Sequence, residues 1–322
     1  MNKFLITERA GGFGDIFTNL MGTWIIAKHT NRNVIIDWRR NPYNWYCGPG
    51  IKDRSSGSYL PLNSFLTIFD IPKNLSGVNF YLPEHICDFG ARNSTNNFWD
   101  YNDLKLIRQE SKNEDNIEDL LYSDEIYIRN EIRYGTPCHG LKMNMIQKSY
   151  FEENITLKSF FEHFKLNNYI SDLISFNEKN LFSNKKICGI HVRHGNNTEI
   201  TNPMRYPNWI EDSTLVKVVK EKINNFINDD EYFFYICTDT EKINDLLLKE
   251  IPNSFSLKKD FSYENESCML LNGRLNPISS FQEAFLDMYF LTRCNKLIYT
   301  EGSIFTAIPQ CYYIEESKTS IF

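Results

Sequence analysis

The alternation of apolar and polar positions divides the chain into strand and helix signals. Residues 3–7 form a short apolar run, followed by the turn Ala10-Gly11-Gly12-Phe13-Gly14-Asp15. Over residues 16–30, Ile16, Leu20, Met21, Trp24, Ile25 and Ala27 recur at helical spacing, with Asp15 as the expected N-cap. Val34-Ile35-Ile36-Asp37 predicts the next strand. Strand, glycine turn, helix and strand in that order are the opening unit of a parallel α/β sheet.

Residues 40–125 read as surface loops with short helices, because Trp45, Tyr46, Tyr59, Trp99 and Tyr101 sit there among Pro, Gly, Asn and Ser. A strand is expected over 125–129. A long helical pattern covers 156–182, carried by Leu157, Phe160, Phe161, Phe164, Ile170, Leu173 and Ile174. Ile187-Cys188-Gly189-Ile190-His191-Val192 predicts a strand. A helix over 213–227 then precedes a continuous apolar strand over 232–237, of the kind found in parallel sheets. Helices over 241–250 and 279–293, a strand over 296–299 and a further helix from 303 complete the pattern. Ser279-Ser280-Phe281-Gln282 is the expected cap of the 279–293 helix. The pattern predicts an α/β protein with two Rossmann-like parallel-sheet domains facing a cleft, one over 1–175 and one over 176–322.

A length of 322 residues fits two domains of about 100–200 residues each. The net charge of −6 argues against a nucleic-acid partner, which calls for a basic surplus. A phosphate-bearing small ligand needs only a few local cations. No two of the eight cysteines form a CxxC pair, so zinc-ribbon and thioredoxin-like sites lack support, and free thiols in a reducing cytoplasm are expected. Residues 1–7 are too short and too soon polar for a signal peptide, and no apolar run approaches the ~20 residues of a membrane span. A cytoplasmic protein without a transmembrane segment is the expectation.

Four segments carry candidate chemistry. Gly11 to Gly14 stand where backbone can approach a phosphate at a helix N-terminus, or form a tight turn needing positive φ. His191-Val192-Arg193-His194-Gly195-Asn196-Asn197-Thr198-Glu199 leaves a buried strand at the end where α/β proteins hold ligands. His191 and Arg193 share a face. Arg193 could grip a diphosphate and offset the charge on a leaving nucleoside diphosphate, or form a structural salt bridge. Glu199 could take a proton from a hydroxyl, or be a solvated carboxylate. Thr238-Asp239-Thr240-Glu241 could contact a nucleoside or cap a helix. Asp287, in an apolar helix, needs a partner if buried: a guanine edge or an internal cation. Ser303 could bind phosphate or serve as an ordinary N-cap.

Together these segments resemble the α1,6-fucosyltransferases, the family of the rhizobial nodulation-factor and animal core fucosyltransferases. His191-Val192-Arg193-His194-Gly195-Asn196 resembles the first signature of that family, and Thr238-Asp239 the second. The third corresponds to the run from Glu283 through Asp287 to Cys294, followed by Lys296-Leu297-Ile298 and Ser303. Gly12-Phe13-Gly14-Asp15 with Val34-Ile35-Ile36-Asp37-Trp38-Arg39 resembles the N-terminal loop, helix and strand.

The resemblance implies a GT-B-like fold and inverting transfer of L-fucose from GDP-fucose to a hydroxyl of a glycan acceptor, with no metal or other cofactor. The partners would be the GDP-sugar donor and the acceptor, with peripheral membrane contact if the acceptor is lipid-linked. Arg193 would hold the diphosphate, assisted by Ser303, Gly12 and Gly14. His191 and Asp287 would read guanine, Asp239 would contact the nucleoside, and Glu199 would be the base. His194 replaces a second Arg of the family, and Asn196 an Asp. A different nucleotide sugar on the same fold, or a non-catalytic nucleotide- or glycan-binding homologue, are the alternatives. The reading requires the guanidinium of Arg193 to face an inter-domain crevice near the Ser303 hydroxyl and the Asp287 carboxylate, and it fails if these groups point into separate places or are locked into internal ion pairs with no cavity beside them.

Overall fold

Short runs of Ile, Val, Leu and Phe pair into two separate, mostly parallel sheets. The computed structural model describes residues 2–7, 12–38, 63–86, 104–107, 117–134, 155–193, 211–227, 231–259, 261 and 277–321. It divides into two units, Met1–Asn167 and Asn168–Phe322. The aromatic residues Trp45, Tyr46, Tyr59, Trp99 and Tyr101 lie outside the described residues. No helix among the described residues is long and apolar enough to cross a membrane.

The first unit holds β1 (Phe4–Thr7), α1 (Phe13–His29), β2 (Asn33–Ile36), β3 (Asn74–Leu75), β4 (Val78–Tyr81), β5 (Lys105–Ile107), α2 (Ile117–Tyr122), β6 (Tyr127–Asn130) and α3 (Leu157–Glu162). The sheet order is β3-β4-β2-β1-β6-β5, parallel except for the β3–β4 pair. Three of these strands, β3, β4 and β5, fall in the stretch expected to be loops and short helices. They are two to four residues long, too short to show a period. α1 is buried on almost every side. Its Phe17 meets Phe160, Phe161 and Phe164 at centroid distances of 5.3–5.7 Å in edge-on geometry, which draws α3 onto it.

Gly22 lies where α1 passes over the segment after β6. A Cβ there would stand 2.7 Å from the Ile132 carbonyl oxygen, so only glycine allows this approach. The N-cap of α1 is Gly12 rather than Asp15, and it caps through no side chain. Asp15 is in the first helical turn, where it pairs with Arg133 and is favoured by the helix dipole.

The helical pattern over 156–182 is broken in the structure. α3 ends at Glu162, and α4 (Asn168–Asn177) leads into a π-helical turn, Glu178–Phe182. Between them the backbone bonds elsewhere: Asp70 N donates to Lys165 O, Asn167 N to Ile68 O, and Phe69 bridges Leu166. Apolar periodicity does not reveal that a tertiary bridge takes up these backbone groups. The unit boundary falls at this break, after Asn167, so a division at 175/176 would cut α4.

The second unit continues with β7 (Lys186–Val192), α5 (Asp212–Phe226), β8 (Tyr232–Thr238), α6 (Glu241–Glu250), β9 (Ser254–Phe255), α7 (Pro277–Leu291), β10 (Lys296–Tyr299), α8 (Ala307–Gln310) and β11 (Lys318–Ser320). Its sheet is parallel throughout, in the order β11-β10-β7-β8-β9. Cys188, Ile190, Val192, Ile236 and Ile298 pack with Leu215 and Val219 of α5 and Ile243 and Leu247 of α6. Alternation turns Gly189 and His191 to the opposite face, where α7 lies. A Cβ on Gly189 would come within 2.8 Å of Leu291 Cδ2 and 3.1 Å of Cys294 Sγ, so α7 sits close against β7. Cys188, Cys237 and Cys294 are buried thiols, and Cys311 is an exposed one.

Gly22→Ala should destabilise the first unit by about 1–3 kcal/mol, because the new methyl meets backbone that has no rotamer to yield. Urea denaturation followed by far-UV circular dichroism checks this. An unchanged midpoint would show that α1 and the 132–133 segment do not pack as described.

Candidate functional site

In the second sheet, the chain leaving β7 returns as β8 on one side, while β10 pairs on the other. The order therefore reverses between β7 and β10, and ligands of open α/β sheets bind beyond the strand ends at such a point. Thr300, just past β10, ties the two ends together. Its N–H donates to His191 O at 3.1 Å, and its hydroxyl accepts from Arg193 N at 3.0 Å. The His191 ring stacks on Phe305, with centroids 5.2 Å apart. Ser303 opens a 3-10 turn, Ile304–Thr306, that leads into α8, and its hydroxyl makes no capping bond. Ser303 is linked to the cluster through Thr300, whose carbonyl accepts its N–H at 3.4 Å.

Charged groups gather at the same end of the sheet. Arg193 pairs with Asp239 at the end of β8, and both side chains are nine-tenths buried. Asp287 of α7 is buried and accepts two hydrogen bonds, from Tyr235 Oη at 2.5 Å and from Lys259 Nζ at 2.7 Å. The Lys259 ammonium also donates to Thr238 O at 2.8 Å. Two cations and two carboxylates thus balance inside the protein, as burial of charge demands. The sequence left Arg193 open to a diphosphate or a structural salt bridge, and Asp287 to a guanine edge or an internal cation; in the structure each has the internal counter-ion.

Burial, reinforced by the nearby charges of Arg193 and Lys259, pushes His191 down to about 3, so the ring is neutral near pH 7. Its Nδ1 is buried without a hydrogen-bond partner, as are Thr238 Oγ1, Thr240 Oγ1 and Asn244 Oδ1 around the β8–α6 turn. Buried polar atoms left unpaired are rare and mark places that a ligand or water can satisfy. Burial, then the Asp287 charge, raises the Tyr235 phenol well above its ordinary value, so it stays a neutral donor.

The first sheet also reverses order, between β1 and β6. There neutral groups form a network, and the Asp15–Arg133 ion pair stands beside it. Thr7 Oγ1 donates to Asn19 Oδ1 at 2.6 Å, Asn19 Nδ2 donates to the carbonyls of Asn130 and Ile132 at 2.9 and 2.8 Å, and Asn130 Nδ2 donates to Thr23 Oγ1 at 2.9 Å. Gly12 and Gly14 start α1 beside this network. Gly12 has φ −67°, so no positive φ demands glycine there.

Of the sequence-predicted site residues, His191, Arg193, Asp239 and Asp287 come together in the second unit, with Ser303 at the same end. Gly12 and Gly14 belong to the first unit. His194, Asn196 and Glu199 lie outside the described residues. Sequence reasoning missed Lys259, Tyr235, Thr300 and Phe305. Only the adjacent pair Lys258-Lys259 gave a faint signal, because Tyr235 read as one more residue of an apolar strand. An open depression lined by Asn184, Lys185, Lys186, Glu231 and Phe233 lies at the opposite, N-terminal ends of β7 and β8, away from this chemistry.

Residues 1–315 match the family model for Nodulation protein Z (NodZ). Nodulation protein Z of Azorhizobium caulinodans is 23% identical over 320 residues, covering 95% of this chain and 88% of the relative. That of Bradyrhizobium diazoefficiens is 23% identical over 323 residues, covering 97% and 79%. Among solved structures, the fucosyltransferase NodZ from Bradyrhizobium aligns with a TM-score of 0.57 at 20% identity, over 96% of this chain and 93% of that one. NodZ α-1,6-fucosyltransferase soaked with GDP-fucose aligns at 0.56 and 19% identity, over 96% and 92%. A point mutant of Arabidopsis thaliana FUT1 in complex with GDP aligns at 0.58 and 12% identity, over 99% and 70%. The two parallel-sheet α/β units are therefore of the GT-B-like class.

The neutral burial of His191 sets a pH dependence. Between the unfolded value near 6.5 and the folded value of about 3, the unfolded chain binds the extra proton. Stability is thus unaffected above pH 6.5 and is lost as pH falls below it, by up to about 1.4 kcal/mol per unit. His191→Gln should flatten the slope of unfolding free energy between pH 6.5 and 4 relative to the parent. Equal slopes in the two proteins would show that His191 is not held neutral.

Proposed function

The chain belongs to the Nodulation protein Z (NodZ) family, and from that membership we propose that it is a fucosyltransferase moving L-fucose from GDP-fucose to a hydroxyl of a glycan, with inversion and without a metal. The observation that carries the reading within the chain is the cluster of His191, Arg193, Asp239, Lys259 and Asp287 where the strand order reverses. Relatives of the same fold were co-crystallised with GDP or soaked with GDP-fucose, which supports the same donor here.

In this reading Arg193 exchanges its Asp239 partner for the diphosphate, and Asp239 turns to the nucleoside. A neutral His191 with an unpaired Nδ1, together with Asp287, reads the guanine edge. The Ser303 hydroxyl, which makes no capping bond, assists at the phosphates, and His194 and Asn196 contribute to donor binding, as Gly12 and Gly14 would by the family resemblance. Glu199 takes the proton from the acceptor hydroxyl. The oxygen then attacks the anomeric carbon from the face opposite GDP, and the bond to the β-phosphate oxygen breaks. Arg193 offsets the charge on departing GDP, the task a cation performs in metal-dependent transfer. The reading places the enzyme in the cytoplasm, and at the membrane surface where the acceptor is lipid-linked.

GDP at 100 times its dissociation constant should stabilise the protein by about 2.7 kcal/mol, with UDP and ADP giving smaller shifts. Equal shifts from all three in thermal melting would reject the guanine preference. In an assay of GDP release from GDP-fucose, Arg193→Ala should lower turnover by about 10²–10³-fold. Arg193→Lys, which keeps charge but loses the planar fork, should fall between it and the parent. Turnover of the parent should be unchanged by EDTA. Near-parental turnover in Arg193→Ala would remove Arg193 from the mechanism, and loss of activity in EDTA would overturn metal independence.

A further inference from the structure

Lys259 belongs to the cluster above but is given no step in the reaction, and it is one of the most enclosed cations among the described residues. Its side chain is 6% exposed and that of Asp287 is 5% exposed. The ammonium reaches two elements: it donates to the Thr238 carbonyl at the end of β8 and to Asp287 Oδ2 on α7. Its Nζ also lies 5.0 Å from the centre of the Phe261 ring. Tyr235 Oη, from within β8, holds the other carboxylate oxygen.

A lone aspartate rotates about its terminal bond, and its carboxylate plane is only loosely set. Here two donors from different segments hold the two oxygens, one each, and this fixes the plane. Each oxygen keeps lone-pair capacity beyond its present donor. Guanine presents two parallel donors, N1–H and the exocyclic N2–H, and a carboxylate of fixed plane can accept both. Hypoxanthine lacks the second donor.

We infer that Lys259 is a positioning residue for base recognition: by bridging the end of β8 to α7 it fixes the Asp287 carboxylate in the orientation that accepts the guanine edge. This rests on the assignment of Asp287 as a base-reading group. The plain rival is an ion pair that only staples α7 to the sheet. A staple contributes to stability and leaves the choice between bases unchanged in folded protein. A positioning residue changes that choice.

The test is the ratio of dissociation constants for GDP and inosine diphosphate, measured by calorimetry on the full chain. The parent should prefer GDP. Lys259→Met should reduce that preference by roughly tenfold to a hundredfold, the range for loss of a hydrogen bond to a charged group. Lys259→Gln keeps a neutral donor and should give an intermediate ratio. In an Asp287→Asn background, Lys259→Met should change the ratio no further, because the residue acts through that carboxylate. The double variant also leaves no unpaired buried carboxylate, so it and Lys259→Gln decide the matter if Lys259→Met does not fold. A parental ratio in Lys259→Gln or Lys259→Met, or a further change in the Asp287→Asn background, overturns the inference. A parent that binds GDP no better than inosine diphosphate removes the base-reading role of Asp287 instead, and binding of neither removes the proposed function.

Discussion

Pairing of buried charge governs the arrangement of the second unit. An isolated ion moved out of water costs several kcal/mol, and solvent reaches little of Arg193, Asp239, Lys259 or Asp287. The solution is two pairs, each joining different segments. Arg193 after β7 meets Asp239 after β8, and Lys259 after β9 meets Asp287 on α7. The pairs can form because parallel register brings the strand ends level, with His191 beside Cys237 on one side and Tyr299 on the other. The backbone thus sets which charges are neighbours.

The same pairs connect stability to chemistry. The groups proposed to grip a diphosphate and a purine edge are not left bare. Each is balanced by a counter-ion that, in the proposed function, the donor replaces or shares. The neutral His191 fits this balance, since a third cation beside Arg193 and Lys259 would be repelled as well as desolvated. The first unit meets the corresponding strand reversal with amides and hydroxyls around Asn19 and with the Asp15–Arg133 pair.

Close packing supports both ends. Gly22 allows α1 to pass against the backbone after β6, and Gly189 lets α7 settle onto β7. The second contact bears directly on the site, because the distance of α7 from the sheet decides whether Asp287 reaches Tyr235. Phe182 stacked on Phe290 at 4.5 Å further fixes α7 over the edge of β8.

The sequence by itself determined the alternation of strands and helices, the two parallel sheets, and the gathering of His191, Arg193, Asp239 and Asp287 at strand ends or on one helix. These follow from local rules: apolar runs bury, periods of two and 3.6 choose the element, and parallel strands send their C-terminal ends to one side. Family resemblance added the donor. Tertiary structure alone decided the rest. The 156–182 helix broke because residues 165–167 bond to 68–70, nearly a hundred positions away. Strands β3 to β5 formed because neighbouring strands offered backbone partners, not because two to four residues carry a pattern. Lys259 became the partner of Asp287 through a meeting across 28 positions that no spacing announces. Long-range contacts of this kind depend on partners far apart in sequence, so local pattern carries no trace of them.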